Sequence, residues 1–113
     1  VSETGDQAKH DVQRGEIVRA LVGYGRAWMT FKTLYYVMDD MGQAMSDDAL
    51  TFHLVYLQEA GLVELKRRRD LPGFRTDRPH REGSPDDIMQ LGITNKGVQL
   101  YDKKIGEDPG VKF

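Results

Sequence analysis

Residues 46–63 read Ser46-Asp47-Asp48-Ala49-Leu50-Thr51-Phe52-His53-Leu54-Val55-Tyr56-Leu57-Gln58-Glu59-Ala60-Gly61-Leu62-Val63. Leu50, Leu54 and Leu57 recur at the spacing that lines one face of a helix. Ser46 stands where an N-cap belongs, and Asp47 and Asp48 fill the first turn, where acids complement the positive end of the helix dipole. Gly61 supplies the stop, because glycine accepts the left-handed conformation at a helix end. Leu62-Val63-Glu64-Leu65-Lys66 then alternates as a strand does, with Val63 and Leu65 facing inward.

Working back from Ser46, Gln43-Ala44-Met45 is too short for anything but a turn. Before it, Thr30 is an N-cap, and Phe31, Leu34, Tyr35, Val37, Met38 and Met41 predict a second amphipathic helix closed by Gly42. Two helices joined so tightly form a helix-turn-helix pattern. Further back, Asp11 opens a helix over about 11–23, with Val12, Ile17, Val18, Leu21 and Val22 as its apolar stripe and Gly23 and Gly25 ending it. Residues 1–10 show no periodicity and are expected to be a disordered tail. Residues 26–30 are available for a small third strand, and Trp28 is expected to anchor the core between the first two helices.

Working forward, residues 70–86 are rich in Pro, Gly and charge and read as a long loop. Ile88, Met89, Leu91 and Ile93 suggest a return strand. Thr94 caps a last short helix in which Val98, Leu100, Tyr101 and Ile105 turn inward, and 106–113 is expected to be an irregular tail. The fold class that follows is α+β: a three-helix core over 11–105, a two- or three-stranded sheet with a long basic connection over about 67–87, and a C-terminal helix.

Phe52-His53-Leu54-Val55-Tyr56-Leu57-Gln58-Glu59-Ala60-Gly61-Leu62-Val63 resembles the recognition helix and first strand of ArsR-like winged helix-turn-helix regulators. Their pattern there is His-Leu-x-x-Leu-x-x-Ala-Gly-Leu-Val. Ile93-Thr94-Asn95-Lys96-Gly97 is similar to the Leu-Thr-x-Lys/Arg-Gly junction that opens the last helix of many winged-helix proteins. Pro109-Gly110-Val111-Lys112 is similar to the tail of the small ArsR-like proteins of Mu-like prophages. The resemblance runs from about Asp11 to Lys104. It implies a winged helix whose long loop is the wing, a bacterial or prophage transcriptional regulator of the cytoplasm, and pairing into a homodimer through the first and last helices. The chain departs from the family's metal sensors in having no cysteine, and its wing is longer than the usual hairpin.

Composition narrows the function classes. The 113 residues allow one modest core. No run reaches the roughly 18 apolar residues of a membrane helix, and the polar start Val1-Ser2-Glu3-Thr4-Gly5-Asp6 does not read as a signal peptide. Without cysteine there is no disulfide, thiolate metal site or cysteine nucleophile. No acid, base and nucleophile stand together for catalysis, so no enzyme, cofactor or metal is expected. The net charge of −2 conceals an asymmetry: residues 66–81 hold 7 Lys/Arg against 2 Asp/Glu, whereas residues 1–65 hold 5 against 10.

That basic block carries the strongest functional signal. Lys66, Arg67, Arg68 and Arg69 end the first long strand, and Arg75, Arg78 and Arg81 continue across the loop. Arginine's planar fork pairs bidentately with phosphate and stays charged, so the block points to the backbone of a nucleic acid, with double-stranded DNA as the partner. The plainer reading is a solvated loop. The third predicted helix argues differently, because residues 46–60 contain no Lys or Arg. Its outward positions include Phe52, Val55 and Tyr56, which offer, together with Thr51, limited base preference through thymine-methyl contacts, or else a protein-interaction face or a patch that the wing or the N-terminal segment covers. His53, at the edge of the buried face, reads as a structural histidine, since no second ligand stands at metal spacing.

Overall fold

A computed structural model describes residues 2–24, 28–67, 88–106 and 108–113. The elements run α1 (Ser2–Gly23), β1 (Met29–Thr30), α2 (Phe31–Asp40), α3 (Asp47–Glu59), β2 (Val63–Arg67), β3 (Ile88–Ile93) and α4 (Asn95–Tyr101). Among the described residues, four helices and a three-stranded antiparallel sheet of order β1-β3-β2 make an α+β fold.

Local chemistry accounts for most of the element boundaries. The hydroxyls of Thr30, Ser46 and Thr94 each accept a hydrogen bond from the backbone N–H three residues on, at 3.1 Å in every case. α2 and α3 end on Gly42 and Gly61, both at positive φ, with the paired backbone bonds of a Schellman motif. α4 ends the same way on Lys103, a non-glycine residue at φ 61°.

The core gathers Ile17, Val18 and Leu21 of α1, Leu34 and Met38 of α2, Leu50, Leu54 and Leu57 of α3, and Met29, Leu65 and Leu91 of the sheet. Val63, Leu65 and Arg67 face inward and Glu64 and Lys66 outward, as the period of a strand requires. The register slips between Lys66 and Arg67, where Lys66 opposes Gln90 and Arg67 opposes Ile88.

The two motifs that carry the family resemblance meet in space. Thr94 Oγ1 donates to the Gly61 carbonyl at 2.6 Å, and Lys96 Nζ donates to the Ala60 carbonyl at 2.8 Å, placing a cation at the negative end of α3. Gly97 lets α4 close on this corner. A Cβ at Gly97 would run into the Leu62 carbonyl oxygen and stand 2.7 Å from Ile93 Cγ1. Gly97→Ala is therefore expected to cost about 1–3 kcal/mol by overpacking against backbone that cannot yield cheaply. A denaturation midpoint equal to the wild type's would contradict this close approach.

The structure corrects several expectations. α1 begins at Ser2, so the segment expected as a tail is helical; His10 gives it a docking point, its ring lying 5.8 Å from that of Phe52 and 5.2 Å from that of His53. Val12, placed on the inward stripe, is exposed, and Asp11 and Arg14 take the buried face instead. Trp28 does not anchor the helices but lies 38% exposed against β3 and Lys66. Tyr35 and Met41 sit at the exposed edge of α2. Ile105 lies beyond α4, which ends at Tyr101. Residues 108–113 form no helix or strand, yet Val111 is buried and Lys112 N–H donates to the Asp11 carbonyl at 3.0 Å. Among the described residues, no helix is long and apolar enough to cross a membrane.

Candidate functional site

The basic block leaves the sheet at the end of β2. Of its members, Lys66 and Arg67 are described; Arg68, Arg69, Arg75, Arg78 and Arg81 lie outside the described residues, as does the rest of the connection over 68–87. The two described cations part company. Lys66 is exposed, its Nζ 3.9 Å from the centroid of the Trp28 ring. Arg67 is 6% exposed and donates from Nη2 to Gln58 Oε1 at 3.0 Å, pinning β2 to α3. Burial thus takes Arg67 out of the expected phosphate grip, because strand alternation puts it on the same face as Val63 and Leu65.

The residues of α3 expected to meet a partner also divide. Thr51 is buried, with no hydrogen-bond partner for its hydroxyl among the described residues, and cannot reach a base edge. Phe52 is 55% exposed. Val55 and Tyr56 are half-buried. The Tyr56 hydroxyl donates to Asp108 Oδ1 at 2.9 Å, and the Arg14 guanidinium lies 3.9 Å from its ring centroid. Burial, helped by the bond to Asp108, raises the phenol above the ordinary tyrosine range. The cover over this face comes from α1 and from residues 108–110, so the apolar patch narrows to Phe52. Asp47 and Asp48, both exposed, stand at the helix end that would approach a groove first.

Beneath that cover lies a polar cluster that sequence reading did not assemble. Arg14, 5% exposed, donates from Nε to His53 Nδ1 at 3.2 Å and from Nη1 to the Gly110 carbonyl at 3.2 Å. It also stands 3.6 Å from the Asp11 carboxylate one turn earlier. His53 is fully buried. A guanidinium can only donate, so Nδ1 is the acceptor and His53 is the neutral tautomer that carries its proton on Nε2. Nε2 faces Gln13 Oε1 at 2.9 Å and donates to it. Burial first, then the charges of Arg14 and His10, hold the imidazole's pKa down at about 4. The arrangement suits holding three chain segments together rather than proton transfer near neutrality. His53 is thus the structural histidine expected. The available signal was the stripe itself: Asp11 and Arg14 fall in line with Val18 and Leu21 at helical spacing.

Compared with protein-family models, with characterised proteins and with solved structures, the chain matches none.

Proposed function

We propose that this chain is a winged-helix nucleic-acid-binding protein, a small bacterial or prophage regulator that holds the phosphate backbone of double-stranded DNA with the arginine-rich connection between β2 and β3. The observation that carries the reading is the position of that charge. Seven Lys/Arg against two acids fall within residues 66–81, and the segment springs from the end of a hairpin whose first strand abuts α3. With Arg67 buried and Lys66 in β2, Arg68, Arg69, Arg75, Arg78 and Arg81 make up the connection's own charge, a local basic block in a net-negative chain that favours contact with a polyanion. α3 contributes little direct readout, since its first turn is acidic and its middle is covered. Specificity would then rest on shape and on few base contacts.

Fluorescence anisotropy with a labelled random duplex, titrated at several salt concentrations, tests the reading. If about four phosphates are neutralised, log affinity falls with log salt at a slope near −3.6. Arg68→Ala/Arg69→Ala reduces the steepness by about 1.8. Arg67→Ala, by contrast, acts on stability through Gln58 and leaves the slope alone. No binding at low salt sinks the proposal.

The exposed Phe52 ring favours one other reading, a protein-interaction module or homodimer built on α3. In that case Phe52→Ser abolishes association seen by size exclusion with light scattering and leaves duplex affinity intact.

A further inference from the structure

The outer face of the sheet carries an arrangement that the arginine connection does not use. The pairing register sets Thr30, Gln90 and Lys66 in one row across β1, β3 and β2, and sets Glu64 opposite Gly92 in the next row but one. The row between them, Met29, Leu91 and Leu65, is buried against the helices. Trp28, one residue before β1, lies over Gly92; a Cβ at that glycine would stand 3.4 Å from the indole Cε3. Gly92 gives the indole a flat seat on the middle strand: a single Cβ there would only just touch the ring, whereas a branched side chain would crowd it. Lys66 reaches across to hold its Nζ 3.9 Å from the indole centroid, and both side chains remain exposed.

We propose that this face is a second contact for nucleic acid, in which Lys66 anchors a phosphate and Trp28, seated on Gly92, is the residue that positions it. The proposal rests on the nucleic-acid reading above. A lysine on the surface ordinarily gives up the freedom of a four-carbon stem when it docks on phosphate. The indole face restrains that stem beforehand, and the ammonium has three N–H donors, so it can take a phosphate oxygen without leaving the ring. Charge argues for the occupant. Lys66 is the first of the seven cations in residues 66–81, so a polyanion that follows the connection back to the sheet meets Lys66 there. Glu64 is the acid on the same face, beside Gly92, and it confines the contact to the side of Gln90 and Thr30, which carry no charge.

The chain has one tryptophan, so its intrinsic fluorescence reports this face alone. Titration of the protein with an unlabelled random duplex is expected to change the indole emission saturably, with the midpoint seen by anisotropy. Lys66→Gln should reduce the salt slope by about 0.9. Trp28→Leu should weaken affinity about 2- to 5-fold with the slope kept, since the charge remains but is no longer held. In the Lys66→Gln background Trp28→Leu should add nothing, which a merely structural tryptophan would not produce. Gly92→Val, which lifts the indole from its seat without removing it, should repeat the slope-preserving loss if Trp28→Leu folds poorly. Duplex binding with unchanged emission, and with a wild-type slope in Lys66→Gln, overturns this contact and leaves the arginine connection standing. No duplex binding at any salt overturns both.

Discussion

Replacing Arg14 with leucine lowers the free energy of unfolding by about 3–5 kcal/mol, the range seen when one member of a buried ion pair is removed. The substitution strips the guanidinium from the Asp11 carboxylate, whose side chain is 6% exposed, and withdraws the donors that serve His53 Nδ1 and the Gly110 carbonyl. Each of those acceptors lies where water does not readily replace the lost bond. The ring of Tyr56 loses its cationic partner as well. Small domains hold about 5–15 kcal/mol in total, so the loss is a large share. Urea denaturation followed by far-UV circular dichroism reads it as a lower midpoint at unchanged m. Arg14→Lys keeps the charge but not the planar fork, and should fall between the two. A loss below about 1 kcal/mol, typical of an exposed pair, would mean that the guanidinium is solvated.

The elements were legible where the signals are local. Ser46, Thr30 and Thr94 cap the helices they were expected to cap, and Gly42 and Gly61 stop theirs through backbone bonds that need only positive φ. Strand alternation also predicts Val63 and Leu65 as inward positions. The same period sends Arg67 inward, and here the expectation followed charge where geometry decided. A guanidinium can be buried when its long stem packs among apolar neighbours and its head finds a partner such as Gln58. Trp28 misled for a related reason. Its size suggests a core position, but the glycine that receives it lies far along the chain in β3, and no local spacing connects the two.

That α3 is covered was legible only as one of three alternatives, and the residues that cover it were not, because they are remote in sequence. Arg14 and Gly110 are 96 residues apart, and Tyr56 and Asp108 are 52 apart. Helical periodicity shows that Tyr56 points away from Leu50, Leu54 and Leu57, but not that another segment lies over it. Residues 2–10 stood as a possible cover, without a sign of which residue would dock. Their stretch has no apolar stripe, and what engages α3 is an imidazole, His10, set edge-on to Phe52 and His53. Covering the face also changes what α3 offers: of the four residues expected to meet a partner, Phe52 alone remains more than half exposed.

Acidification from pH 6.5 to 4 removes up to about 3 kcal/mol of stability through His53 alone. Its ordinary pKa of 6.5 applies to the unfolded chain, and in the folded protein the value falls to about 4. Between these values the unfolded chain binds a proton that the folded one refuses, so stability rises with pH across the window and falls on acidification. Above pH 6.5 the contribution is complete; below about 4 both states are protonated and the slope vanishes. Burial is the main cause, and the Arg14 charge adds to it, so Arg14→Leu should raise the folded pKa and flatten the profile while it lowers stability at neutrality. NMR titration of the ring protons checks the premise directly, with His53 showing no inflection above pH 5. An inflection near pH 6.5 in the folded protein would mean that Nδ1 is free to take a proton. The Arg14 bond to His53, and with it the clamp on the N-terminal half of α1, would then be absent in solution.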